Sequence, residues 1–316
     1  MLNLIGLLKH TQSRKAKYNN SIIRAGFTLV ELAIVLVIIG LLIGGVLVGH
    51  DLIKAAEIRS QITQIEKYNA AVNTFKLRTG YLPGDIPEPT ASAFGFAARG
   101  QYKGQGDGDG LIAGIDSNSS SVNCGCFPLS GETVLFWNDL SAANLIEGKF
   151  NYATATSVFH MFSTDIPNYL PKSKIGENYI SVGSGSSIWA AVVPQMMTGF
   201  NHFSISFITG NDGSGDPIAN EGLSVNQGYS IDYKIDDGLP QSGKVVAQFW
   251  SNTGSGSRFV WAGTGGGWQL TTYTTATPAS ATTCFDNGNV GGGTQKYSVG
   301  TNGGNGINCA LSFKFQ

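Results

Sequence analysis

The sequence predicts an α+β protein: one long N-terminal helix, with a membrane half and an amphipathic half, packed on a mainly antiparallel β domain. Three observations predict it. Leu32 to Gly49 is a run of 18 residues without a charge. Beyond it, Ile58, Ile62, Ile65, Val72 and Phe75 recur at spacings of four, three, seven and three, which marks one face of a 3.6-residue period. From about residue 178 the pattern turns to strands; Phe203, Ile205 and Phe207 alternate with polar neighbours, as in a strand with one buried face.

Counted from Phe27, the apolar segment covers 23 residues, or roughly 34 Å of helix at about 1.5 Å per residue. That matches a hydrocarbon core of about 30 Å. Its one charge is Glu31, near its start. A carboxylate inside a membrane helix costs about 2.5–3.5 kcal/mol on insertion scales, so it requires a partner. Gly40, Gly44, Gly45 and Gly49 make two small-xxx-small pairs, which favour close helix packing in lipid. In the amphipathic half, Asp51 to Arg78, the residues Lys54, Glu57, Arg59, Gln61, Glu66 and Lys76 lie mainly off the apolar stripe. Gly80 supplies a C-cap, and Pro83-Gly84 and Pro87 confirm the break.

The first 26 residues carry Lys9, Arg14, Lys15, Lys17 and Arg24 and no acid. This +5 excess favours a cytoplasmic N-terminus. Gly26-Phe27-Thr28-Leu29-Val30-Glu31 follows, before the apolar run rather than after it, unlike a secretory signal. The hexapeptide behind a basic leader resembles the prepilin peptidase site of type IV pilins and type II secretion pseudopilins, over residues 24–49. The resemblance implies cleavage after Gly26, N-methylation of Phe27, and pairing of Glu31 with the Phe27 ammonium of a neighbouring subunit. Breaking such a buried ion pair costs about 3–5 kcal/mol, which favours correct register. It divides the chain into a removed leader (1–26), an N-terminal helix (27–80, with 27–49 as membrane span and filament core) and an exported pilin-like domain (81–316). The expected partners are copies of the chain or other pilins, the prepilin peptidase, and the inner membrane before assembly. The expected location is the inner membrane for the precursor, then a cell-surface or periplasmic filament. The resemblance also implies local melting around the glycines in the assembled filament, although the helix-breaking Pro of the family is missing here.

On this reading the protein is a structural subunit: a pilin, minor pilin or pseudopilin. At 290 mature residues it is large for a major pilin. The alternatives are a minor pilin acting as an adhesin or ligand-binding tip protein, and a subunit of a type II secretion pseudopilus. The acid at Glu31 separates it from the pseudopilins that cap the tip.

Composition agrees with export. Of 316 residues 13% are charged and 43 are Gly, as in a loop-rich exported protein. Aromatics at 10% argue against disorder. Without the leader the chain has 15 basic and 21 acidic residues, a formal −6, which argues against a broad nucleic-acid surface. Cys124, Cys126, Cys284 and Cys309 all lie outside the membrane segment, and an even count in an exported domain favours disulfides. Three pairings are open. Cys284 with Cys309 closes a Gly-rich C-terminal loop, as in many type IV pilins; Cys124-Gly-Cys126 closes a tight, strained ring. A zinc site is the other reading, without zinc-ribbon spacing.

After a loop-rich stretch, residues 131–147 predict a second helix with Val134, Trp137, Leu140 and Leu145 or Ile146 on one face and Gly148 at its end. Predicted strands are 179–182, 188–193, 203–208, 244–250, 259–262 and 268–272. Residues 223–235 predict a short helix, and 236–240 a turn. Trp137, Trp261 and Trp268 read as core residues rather than ligand platforms.

The sharpest candidate site is Gln105-Gly-Asp107-Gly-Asp109-Gly110-Leu-Ile112, running on to Asp116. Set against an EF-hand calcium loop, Gln105 falls at position 1, Asp107 at 3, Asp109 at 5, Gly110 at 6, Ile112 at 8 and Asp116 at 12. Calcium needs hard oxygens on a sharply turned backbone, and alternating Asp-Gly supplies both. Gln105 in place of an acid, and Asp116 in place of Glu, depart from that pattern. Asn211, Asp212, Ser214 and Asp216 form a weaker cluster. Catalytic constellations are not found. His10, His50, His160 and His202 belong to no metal motif, and no Gly-x-Ser-x-Gly or phosphate loop occurs. Gly263 to Gly267 lacks the context of a dinucleotide fingerprint. Asp232, Asp236 and Asp237 read as a capped turn. The expectation is a protein that is not an enzyme.

Overall fold

A computed structural model describes residues 26–115, 129–155, 161–184, 199–212, 215–252, 257–263 and 276–315. Leader residues 1–25, Asp116, Cys124, Cys126, His160, Ser214, Trp268 and the predicted strands 188–193 and 268–272 lie outside the described residues. The architecture is α+β: a long N-terminal helix followed by antiparallel sheets. Helix α1 is Leu29–Thr79, 51 residues. The chain separates into two units at Leu52/Ile53.

In the first unit α1 is continuous through Gly40, Gly44, Gly45 and Gly49, and a Cβ at any of them would meet nothing within 4 Å. The apolar residues around them are exposed. Among the described residues α1 is the helix long and apolar enough to cross a membrane.

In the second unit α1 buries Ile58, Gln61, Gln64, Ile65, Tyr68, Ala71, Val72 and Phe75. The predicted stripe is there, with Ile62 half-buried at its margin. Two polar members, Gln61 and Gln64, were not predicted. Gln61 Oε1 accepts from Ser173 Oγ and Lys174 N at 2.6 and 2.7 Å, and Gln64 Nε2 donates to Tyr68 Oη and to Lys172 O. These side chains are interior because each bonds across to the 172–174 segment. Gly80, at φ +83°, ends the helix with its N–H on Lys76 O.

Helix α2 is Thr90–Ala93 and α3 is Glu132–Ala142. The second helix thus stops five residues short of the predicted 147. Asn144 takes φ +54°, its N–H bonds Ser141 O, and Leu145 N–H bonds Leu140 O. This is a Schellman ending, for which Asn is the usual substitute for Gly. Leu145 and Ile146 pack on the core from the following loop.

The main sheet is antiparallel. Its strands are β1 (Tyr179–Ser184), β2 (Asn201–Asn211), β3 (Pro217–Asn220), β5 (Val245–Val246) and β11 (Leu311–Lys314), in the order β1-β2-β11-β5 with β3 pairing β2. Three two-stranded ladders join β4 (Leu223–Ser224) to β10 (Ile307–Cys309), β6 (Gln248–Asn252) to β7 (Ser257–Trp261), and β8 (Phe285–Asp286) to β9 (Lys296–Tyr297). Register places Ile180 against Ile205, and Val182 and Phe313 against Phe203. That apolar face meets the helices. Phe203 lies 6.0 Å from Tyr68 of α1 and 5.9 Å from Phe136 of α3, and Tyr68 meets Trp137 edge-on at 5.0 Å. Trp137 is fully buried there, as a core residue.

Two strand expectations are corrected. Strand β2 is covered on both faces, because β6 lies over its polar side: Ser312 Oγ donates to Gln248 O at 2.8 Å and lies 3.2 Å from Ser204 Oγ, and His202 meets the Phe259 ring. Phe207, predicted inward, is 39% exposed. The single strand predicted over 244–250 is two strands in different sheets. Ala247 interrupts it, giving its N–H to Pro240 O and taking the N–H of Ala262.

Helix α4 is Val225–Ile235, opened by a reciprocal capping box between Ser224 and Gln227. Gly228 of α4 lies against Cys309, where an added Cβ would sit 3.2 Å from the Cys309 Cβ. Cys309 is bonded to Cys284, and both are fully buried. The pairing read from the sequence is therefore present, and a four-cysteine zinc site is not. Trp261 is also fully buried, edge-on to Phe285 at 5.8 Å.

Candidate functional site

The N-terminal site is built on the first turn of α1. Gly26 and Phe27 precede the helix and are exposed. Thr28 closes the first turn, its carbonyl accepting from Leu32 N at 3.2 Å. Its side chain and that of Glu31 form a reciprocal box. Thr28 N–H and Oγ–H both donate to Glu31 Oε2 at 2.8 Å, and Glu31 N–H donates to Thr28 Oγ at 3.2 Å. Thr-x-x-Glu is the sequence form of a capping box. A carboxylate in the first turn also meets the positive end of the helix dipole. The partner Glu31 requires is, within one chain, Thr28.

The acidic loop departs from the EF-hand alignment. Gly104, Gly106, Gly108 and Gly110 all take positive φ, between 74° and 95°. This is why the sequence reads Gly at every second place: the backbone turns left-handed there, which a side chain disfavours. A Cβ at Gly106 would also lie 2.8 Å from Ile86 O. The loop wraps two acids that sequence reasoning missed. Asp85 Oδ1 and Oδ2 accept from Gly108 N and Gly110 N at 2.7 and 2.9 Å. Glu132 Oε1 accepts from Gly106 N and Asp107 N, and its Oε2 from Ala113 N, at 2.8–3.3 Å. Both acids are buried. Burial pushes the Asp85 carboxyl up to about 7, against the pull of the Gly110 and Gly108 N–H groups. Burial, then the charge of Asp85, pushes Glu132 well above the usual carboxylate range.

Of the predicted calcium set, Asp107 and Asp109 converge with Asp85, their carboxylate oxygens lying within 4.8 Å of one another. Gln105 is buried, and its Oε1 takes the Tyr102 N–H at 3.2 Å. Ile112 is fully buried; its N–H goes to Asn201 Oδ1 and its carbonyl takes Ser184 N–H. Asp116 is not among the described residues. The one signal near Asp85 was the neighbouring Pro83-Gly84, read as a helix break. Glu132 was hidden at the start of a helix.

Near this loop, Arg99 Nη2 bonds both Asp139 oxygens at 2.7 and 2.6 Å, with both side chains inaccessible. Asp139 Oδ2 also accepts Gly84 N–H at 2.6 Å. The Asp232 cluster is a capped turn, as read: Gly238 N donates to Asp232 Oδ1 and Leu239 N to Asp237 Oδ1. Asp232 Oδ2 further takes the Tyr297 hydroxyl at 2.8 Å. In the weaker cluster Asp212 Oδ1 accepts Asp216 N–H across a turn.

No curated protein and no solved structure shows significant similarity to the chain. The family model of the prokaryotic N-terminal methylation motif matches residues 23–47. That match spans Gly26, Phe27, Thr28, Glu31 and most of the apolar run, so the chain carries the prepilin-type motif of type IV pilins and pseudopilins.

Proposed function

We propose that the protein is a structural subunit of a type IV pilus-like filament, a pilin, minor pilin or pseudopilin, assembled through α1 after cleavage between Gly26 and Phe27. The observation that carries this reading is the methylation motif at the head of a 51-residue helix whose first half is apolar and exposed. Exposed apolar helix of this length requires lipid or other helices around it. The motif and the helix fit a membrane-anchored precursor. Assembly moves that surface from lipid into contact with copies of the chain or other pilins. Shearing cells and imaging the released fraction with an antibody to the outer domain tests this. Labelled filaments support it; the chain remaining wholly in membranes refutes it.

The acidic loop adds a divalent cation, calcium by its hard oxygen donors. Asp85, Asp107 and Asp109 would hold it, which ties the turn after α1 to the 104–113 loop. Isothermal titration with calcium tests this, and an absence of heat at millimolar calcium refutes it.

A further inference from the structure

We propose that the groove between α1 and the loop after α3 binds a short apolar peptide, held by its free ammonium and its free carboxylate. The site does not depend on the filament reading above. The groove encloses about 680 Å³, the size of a small-molecule site. One wall is α1 from Ser60 to Thr74; the other is Asn144 to Glu147, with Lys174 beside it. Tyr68 and Ala71 are buried in it, and Leu145 and Ile146 line it half-buried.

Two observations point to a ligand. Gln64, which lines the groove, is 8% exposed, and its Oε1 has no donor among the described residues. Its Nε2 is already committed to Tyr68 Oη and Lys172 O. A buried acceptor left without a donor is costly, and an N–H group brought by a ligand relieves it. The second observation is charge. Lys67, Glu147 and Lys174 border the groove and are exposed, and none of them is in an ion pair among the described residues.

The charges are ordered along the helix. Lys174 N–H bonds Gln61 Oε1 at 2.7 Å, which sets Lys174 at the Gln61 end. Burial, with the charge of Glu147 adding to it, pushes the Tyr68 hydroxyl up to about 12 against the Gln64 hydrogen bond, which sets Glu147 at the Tyr68 end. From Gln61 to Tyr68 the helix rises about 10 Å, at about 1.5 Å per residue. An extended peptide covers that span in about three residues, at about 3.3–3.6 Å each. Its carboxylate then meets Lys174 and its ammonium Glu147. Lys67, between them on α1, offers a donor to the peptide carbonyls, and an aliphatic side chain lies on Leu145 and Ile146. A simple anion would be opposed by Glu147, and a simple cation by Lys67 and Lys174; a zwitterion suits both ends.

The test is isothermal titration of the full-length chain, in a nonionic detergent, with the tripeptide Ala-Leu-Ala and its N-acetyl and C-amide forms. Saturable binding of the free tripeptide is expected. Blocking either end should weaken it by about tenfold or more, the scale of one hydrogen bond to a charged group. Glu147→Gln should weaken the free peptide by a similar factor and leave the N-acetyl form no weaker than it already is; Lys174→Gln should do the same for the C-amide form. Ala70→Trp, on the exposed wall, should fill the groove and abolish binding. All three positions are exposed, so Tm should stay that of the unaltered chain. No saturable heat at millimolar tripeptide overturns the proposal. Binding that is indifferent to both end-blocks, or unaltered in Glu147→Gln and Lys174→Gln, overturns it equally.

Discussion

Asp85 and Glu132, 47 positions apart in the chain, share one loop: between them they accept five backbone N–H groups from Gly106 to Ala113. Asp85 comes from the turn after α1 and Glu132 from the first turn of α3. The loop thereby joins the turn after α1, helix α3 and, through Asn201, the main sheet.

Removing Glu132 tests that arrangement. Glu132→Ala leaves the buried N–H of Gly106 and the less buried N–H groups of Asp107 and Ala113 without their acceptor, at about 1–3 kcal/mol for a buried group and less for the others. A loss of about 3 kcal/mol lowers Tm by roughly 6–12 °C in a domain of this size. Glu132→Gln keeps one acceptor oxygen and should cost about half as much. Thermal unfolding of the fragment from Ile53 onward, once shown to fold, measures both. Equal Tm values for Glu132→Ala and the unaltered domain would count against the loop's role.

The Arg99–Asp139 pair makes a second prediction. Arg99→Met strands an inaccessible carboxylate and should cost about 3–5 kcal/mol. Pairing it with Asp139→Asn should recover much of the loss, because the charge goes while an acceptor for Gly84 N–H remains. A double-mutant cycle by urea unfolding reads the coupling, and additive single losses would contradict it.

Acid and neutral pH pull stability in opposite directions. Burial lowers the His202 imidazole from 6.5 to about 3, with the Lys314 charge adding to the effect. The unfolded chain takes that proton between pH 6.5 and 3 and the folded chain does not, so this contribution is lost as pH falls through the window. Burial raises Asp232 from 3.8 to about 7 despite the Tyr297 and Gly238 hydrogen bonds. The folded chain keeps that proton where the unfolded chain has lost it, so this contribution declines as pH rises from about 3.8 to 7. His202→Gln should therefore weaken the loss of stability in acid, and Asp232→Asn should steepen the rise from pH 4 to 6.5. Superimposable denaturation profiles over pH 4–7 would sink both assignments.

Calcium should raise Tm. At 100 times its dissociation constant a cation adds about 2.7 kcal/mol, and Asp107→Asn with Asp109→Asn should abolish the gain. Melting curves in millimolar calcium and in chelator decide it. An unchanged Tm removes the cation from the account.

What could be read from the sequence was periodic or punctuated. The α1 stripe, the stop at Gly80, a short helix within 223–235 and the turn at 236–240 each follow from residue type and spacing. What could not be read depended on partners far along the chain. Gln61 and Gln64 turn inward only because the 172–174 segment meets them. Strand 244–250 splits only because Pro240 and Ala262 claim Ala247. At the candidate cation site, Asp107 and Asp109 were visible as an Asp-Gly repeat, but Asp85 joins them from across a turn that no periodicity encodes. The end of α3 was legible in principle, since Asn144 is a common left-handed terminator, but Gly148 drew the boundary too late.

The central claim is that Phe27 becomes the N-terminus and Glu31 its partner in a filament. Peptide mass spectrometry of the N-terminus, on protein taken from its native membranes, tests this most directly. The account predicts a mature chain beginning at N-methyl-Phe27. A chain still beginning at Met1, in cells whose prepilin peptidase is active on other substrates, would contradict it.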